Sequence, residues 1–127
     1  MTFRDEMRSI SNNQENTNKN VCAFAVADVL GVAEETRFLH TTSDLVRATR
    51  KKFIVRSRKS TLKGNTVGSI RKQVTELHKK ENCLAVIVQV KGHVLLLRGK
   101  TGETLVDTAP RKKDKRQIVS VFGVFPK

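Results

Sequence analysis

The chain changes hydrophobic period at Asn82, and that change constrains the fold more than any other feature. Before it, apolar residues recur at helical spacing. After it, short apolar runs alternate with turn residues: Cys83–Val90, the turn Lys91-Gly92, His93–Arg98, the turn Gly99–Gly102, Glu103–Asp107, and finally Ile118–Phe125. Helices first and strands second predict an α+β fold, with N-terminal helices packed on a C-terminal antiparallel meander. Gly123 inside the last strand is expected at a bulge.

In the helical part, Val21–Leu30 is apolar on almost every side, so it is expected to be the central helix, capped by Asn18 or Asn20 and stopped by Gly31. Ser43–Arg50 predicts a short second helix and Lys52–Arg56 a short extended piece. Thr66 is placed to cap a third helix, with Val67, Ile70, Val74 and Leu77 on one face and basic residues on the other. Residues 1–19 are polar and Asn-rich and read as an arm and loop.

At 127 residues, residues 1–127 are expected to form a single domain. Two cysteines, Cys22 and Cys83, cannot staple a secreted disulfide scaffold. The longest apolar stretches fall short of the roughly 18–20 residues that span a bilayer. Met1–Ile10 carries Arg4, Asp5, Glu6 and Arg8, which leaves no signal-peptide core. A reducing, cytoplasmic setting with free thiols and no membrane association is the expectation. His40 and His78 have no second ligand at metal spacing, so neither a metal nor a cofactor is expected.

The charge is lopsided: four basic and seven acidic side chains up to Val46, then twenty-one basic and five acidic. Arg47, Arg50, Lys51, Lys52, Arg56, Arg58, Lys59 and Lys63 form one run free of acids, and Arg111, Lys112, Lys113, Lys115 and Arg116 a second, broken only by Asp114. Such fields attract polyanions. With six Phe and neither Trp nor Tyr, few rings are left for stacking on bases, so nucleic acid would be held by phosphate contacts with little sequence preference. A solvated, soluble surface is the plainer reading of the same charge.

Three residues suit one mechanism. Cys22 is expected in the first turn of the central helix, where unpaired N–H groups favour a thiolate. His93 opens a strand directly after a turn, and Asp107 ends the next strand at the same sheet edge. If Lys100 and Thr101 make a type I turn with Gly102 left-handed, Leu95 opposes Asp107, and His93 shares its face one diagonal step away. A two-residue turn would put the two on opposite faces. Taken singly, each has a plainer role: Cys22 as a small buried hydrophobe, His93 as a turn residue, Asp107 as a strand-end cap.

Together, Asn20-Val21-Cys22-Ala23-Phe24-Ala25, Gly92-His93-Val94-Leu95-Leu96-Leu97 and Leu105-Val106-Asp107-Thr108-Ala109-Pro110 resemble the papain-like cysteine peptidase superfamily. The likeness is strongest to the small peptidase domains of bacteriocin-processing transporters. It covers residues 14 to 125. The resemblance implies a papain-like fold, Cys22 as nucleophile, His93 as base and Asp107 as orienter. It also implies an amide side chain shortly before the cysteine to complete an oxyanion hole, a role for Asn16, with Gln14 and Asn18 as neighbours able to serve. Peptide or protein would be the substrate. Transglutaminases and arylamine acyltransferases use the same order of groups, so acyl transfer is an alternative. A catalytically inactive papain-like protein that binds, or is packaged with, nucleic acid is another.

Overall fold

The structure is a computed structural model, and it describes residues 18–33, 41–58, 66–108 and 115–127. These form three helices, α1 (Asn18–Leu30), α2 (Thr42–Thr49) and α3 (Val67–Glu81), and five strands, β1 (Ile54–Ser57), β2 (Ala85–Val90), β3 (His93–Arg98), β4 (Thr104–Val106) and β5 (Ile118–Phe125). The fold is α+β. None of its helices, among the described residues, is long and apolar enough to cross a membrane.

All strand pairs are antiparallel, in the order β1-β5-β2-β3-β4. The expected meander holds for β2, β3 and β4 only. β5 returns to lie between β2 and β1, and the extended piece near Phe53 becomes the edge strand β1, with Val55 opposite Val124. The reason lies in β2, whose run Ala85-Val86-Ile87-Val88 is wholly buried. A strand apolar on both faces needs a layer on each side and a partner at each edge.

Both layers are present. Ala85, Ile87, Val94, Leu96 and Val124 pack under α1 and α2, against Val26, Ala27, Leu45 and Ala48. Val86, Val88, Val90, Leu95 and Leu97 face the other way, onto Val67, Ile70, Val74 and Leu77 of α3. The helices therefore sandwich the sheet and do not share one side of it.

Local signals explain the helix ends. Thr66 caps α3 as expected, in a reciprocal box: its hydroxyl accepts from the Ser69 N–H, and the Ser69 hydroxyl accepts from the Thr66 N–H. Asn82 ends the helix in the left-handed conformation, φ 60°. Helix α2 starts one residue before the expected Ser43, because Thr41 and Asp44 form a second such box. Gly31 stops α1 at φ 73°. Gly123 is not a bulge: it pairs in register with Val86 and Arg56, and a Cβ there would lie 2.9 Å from the Phe125 ring.

Candidate active site

The hairpin joining β3 to β4 places the imidazole. Gly102 is left-handed, φ 73°, as expected, but the loop is one residue longer than anticipated: the Arg98 N–H donates to the Glu103 carbonyl. Leu97 then pairs with Thr104, while Leu96 pairs with Val106, so Leu105 is an extra residue in β4. That bulge restores the register the shorter turn would have set. His93 Nε2 and Asp107 Oδ1 are 2.7 Å apart, with side-chain exposures of only 12% and 3%.

The other carboxylate oxygen, Oδ2, accepts from Arg116 Nη2 at 2.5 Å. The basic run predicts Arg116 on a nucleic-acid surface. Its side chain is mostly buried instead, and its backbone carbonyl accepts from the Val67 N–H at the start of α3. A carboxylate this deeply buried is costly unless both oxygens are paired, and here both are.

Cys22 arrives from the opposite layer. It is buried with Ala23 under β3, in the cluster that holds Val94 and Leu96. A cavity of about 180 Å³ is lined by Cys22, Ala23, Thr41, Thr42, Gln89, Gly92, His93 and Val94. It lies at the β2–β3 turn, where Gly92 carries no side chain, so Cys22 from the α1 side and His93 from β3 both border one space.

The expectation of a favoured thiolate fails on two counts. Helix α1 begins at Asn18, so Cys22 stands past the first turn. Burial then pushes the thiol above its ordinary value, outweighing the backbone amides of Val94, Ala23 and Cys22 itself, which pull it down; the nearby Asp107 charge adds to the rise. Cys22 is thus a protonated thiol at neutral pH. Cys83, also free, is buried against α3 with its Sγ–H donating to the Ala85 carbonyl at 3.2 Å, and burial raises its thiol as well.

Asn16 and Gln14, expected to complete an oxyanion hole, lie outside the described residues, as does the Asn18 side chain. Sequence reasoning missed Gln89, Thr41 and Thr42. Gln89 had a signal: it is the one polar residue in the run Cys83–Val90. Thr41 had the capping-box spacing to Asp44, and Thr42 follows it directly.

The basic residues are dispersed. Arg47, Arg50, Lys51, Lys52 and Arg56 are exposed around α2 and β1, and Lys115 is exposed before β5. Lys52 Nζ donates to the Gly31 carbonyl at 2.8 Å. Arg58 is not directed at solvent: it pairs with Glu81 at 2.7 Å and stands 5.1 Å from the centre of the Phe125 ring. Lys59, Lys63, Arg111, Lys112 and Lys113 lie outside the described residues. A second cavity, about 290 Å³, is lined by Ser43, Val46, Arg47, Arg50 and Phe122. Among the described residues no group of three or more His, Cys, Asp or Glu side chains is placed to hold a metal.

Comparison of the chain with family models, with curated proteins and with solved structures finds no match.

Proposed function

We propose that the protein is a papain-like thiol hydrolase that cleaves peptide bonds with Cys22 as nucleophile, His93 as base and acid, and Asp107 as the group that orients the imidazole. The observation that carries this reading is the 2.7 Å contact of His93 Nε2 with a buried carboxylate, at the rim of a cavity that Cys22 also lines. With Nε2–H donated to Asp107, the Nδ1 lone pair, which has no hydrogen bond among the described residues, can take the Cys22 proton.

Because burial holds the thiol protonated, deprotonation accompanies attack. The Cys22 sulfur bonds to the carbonyl carbon as its proton passes to His93, and the imidazolium returns that proton to the leaving nitrogen as the C–N bond breaks. Water, activated by His93, then hydrolyses the thioester. An amine in place of water would make the same site an acyltransferase. Both free thiols suit a reducing, cytoplasm-like compartment.

The test is digestion of a mixed peptide pool by the purified chain, read by mass spectrometry, with a primary amine as competing acceptor. Thiol-dependent cleavage or amine transfer that disappears in Cys22→Ser and His93→Ala, with folding intact, supports the reading. Product formation unaffected by either change overturns it.

A second reading, polyanion binding through the exposed face of α2 and β1, is favoured by the cavity between Arg47, Arg50 and Phe122. There two arginines and a phenylalanine border a common space, residue types suited to phosphate with an adjacent base.

A further inference from the structure

Gln89 is out of place as a packing residue. It occupies the fifth position of a strand whose other five residues are buried and apolar. An amide there carries a desolvation cost that valine would avoid. One neighbour engages the amide oxygen. Ser120, directly across on β5, donates its Oγ–H to Gln89 Oε1 at 2.7 Å. On the other side Gln89 pairs with Val94 of β3, the residue whose amide stands beside the Cys22 sulfur. Strand alternation puts Gln89 on the face of Ala85 and Ile87, which pack in the same cluster as Cys22. The side chain lines the cavity with Cys22 and His93.

The oxygen and nitrogen of an amide diverge from one carbon, so with Oε1 engaged by Ser120 and Gln89 lining the cavity, Nε2 is the group left to meet a ligand there. We propose that Gln89 is a catalytic residue: its side-chain N–H donates to the oxyanion formed when the Cys22 sulfur adds to a carbonyl, and Ser120 is the positioning residue that sets the amide's orientation. This rests on the thiol-hydrolase reading. In the step concerned, the S–C bond forms, the carbonyl π pair moves onto oxygen, and that oxygen accepts from Gln89 Nε2. The pair then returns to re-form C=O as the leaving group departs with the proton held by His93. Gln89 would supply from the sheet the kind of amide N–H that the papain-like resemblance assigns to Asn16, which lies outside the described residues.

The experiment compares two reactions at one sulfur in the intact chain. Acetylation of Cys22 by p-nitrophenyl acetate passes through an oxyanion and releases p-nitrophenolate, with the acetyl group located by peptide mass mapping. Alkylation of Cys22 by iodoacetamide displaces iodide at carbon and builds no oxyanion. Gln89→Ala should slow acetylation by about 10²–10³-fold and leave alkylation within about twofold. Gln89→Glu keeps the shape and one oxygen for Ser120 but lacks the N–H, and should be equally slow; it decides the matter if the alanine variant does not fold. Ser120→Ala should slow acetylation by about tenfold, and Ser120→Thr should restore it.

If wild-type Cys22 is acetylated no faster than Cys83, the hydrolase reading fails and this inference with it. If wild-type acetylation is fast and both Gln89 variants match it, only the role of Gln89 is overturned.

Discussion

Arg116 Nη2 donates to the one oxygen of Asp107 that His93 does not occupy. The carboxylate is therefore held from two sides, by an imidazole from β3 and a guanidinium from the segment before β5. In the proposed mechanism its charge stabilises the imidazolium and its position fixes the tautomer. Asp107→Asn should lower kcat by up to about 10⁴-fold, the loss found when the carboxylate of a serine triad becomes an amide. Arg116→Met leaves a buried oxygen with one partner fewer and should cost about 2 kcal/mol in urea unfolding. If neither change moves turnover, the carboxylate is a purely structural anchor.

The two thiols should separate in accessibility. Burial raises both, so iodoacetamide labelling should be slow at pH 7 and accelerate above about 8.5, the ordinary thiol value. Cys22, bordering an open cavity, should label before Cys83, which is enclosed under α3. The same shifts act on folding. A thiol whose folded pKa lies above its unfolded value contributes stability in full below the unfolded value and loses it as pH rises through the folded one. Melting temperatures measured from about pH 7 to about pH 10.5, a window that brackets the ordinary thiol value, should fall more steeply for the wild type than for a Cys22→Ala, Cys83→Ala double variant. Parallel curves would refute the assignment.

How much of this was legible beforehand differs by element. The third helix could be read nearly to the residue, because Thr66, Val67, Ile70, Val74 and Leu77 carry both cap and stripe in sequence. The start of α1 could not: Asn18 and Asn20, the two expected caps, both lie within the helix, which begins at Asn18. The His93–Asp107 meeting was legible only through the turn. The turn proved longer than expected, and the extra residue Leu105 compensated for it, a cancellation no local rule supplies. The place of β5 between β1 and β2 is a choice among strand partners far apart in sequence, which local periodicity does not encode. Arg116 looked like one more cation of a basic run, since nothing adjacent to it marks Asp107 as its partner.

The turn between β3 and β4 begins where space is tightest. A Cβ at Gly99 would stand 2.0 Å from the Cys83 carbonyl oxygen, a backbone atom that cannot yield without shifting the approach to β2. Gly99→Ala should therefore destabilise the fold by about 3 kcal/mol, the upper end of ordinary overpacking. Thermal or urea unfolding measures it, and a loss below about 1 kcal/mol would show that the segment from Asn82 to Leu84 can relax.

Polyanion binding is tested through salt. If Arg47, Arg50 and Arg56 meet phosphates, the slope of log affinity against log salt on duplex DNA should flatten by about 0.9 for each phosphate that charge reversal leaves without its cation. Arg58→Glu should disturb folding through Glu81 and Phe125 more than it alters the slope. Absence of DNA and RNA binding at about 50 mM salt, where such interactions are strong, would reduce the basic face to a solubility feature or a match for an acidic protein.

The position of β5 sets an order in time. The strand that fills the sheet between β1 and β2 follows every other described element in sequence, and with it come Ser120 and, just ahead, Arg116. While the chain is being made, β2 must wait with one edge open and its apolar side chains lacking a neighbour, and β1 must wait for a partner more than sixty residues away. Pairing over that distance makes closure slow and leaves the half-formed sheet prone to self-association. On the proposed mechanism, a ribosome-bound chain ending before Arg116 would hold Cys22, His93 and Asp107 without the guanidinium that braces the carboxylate or the hydroxyl that holds the Gln89 amide, so hydrolysis would begin only once β5 is in place.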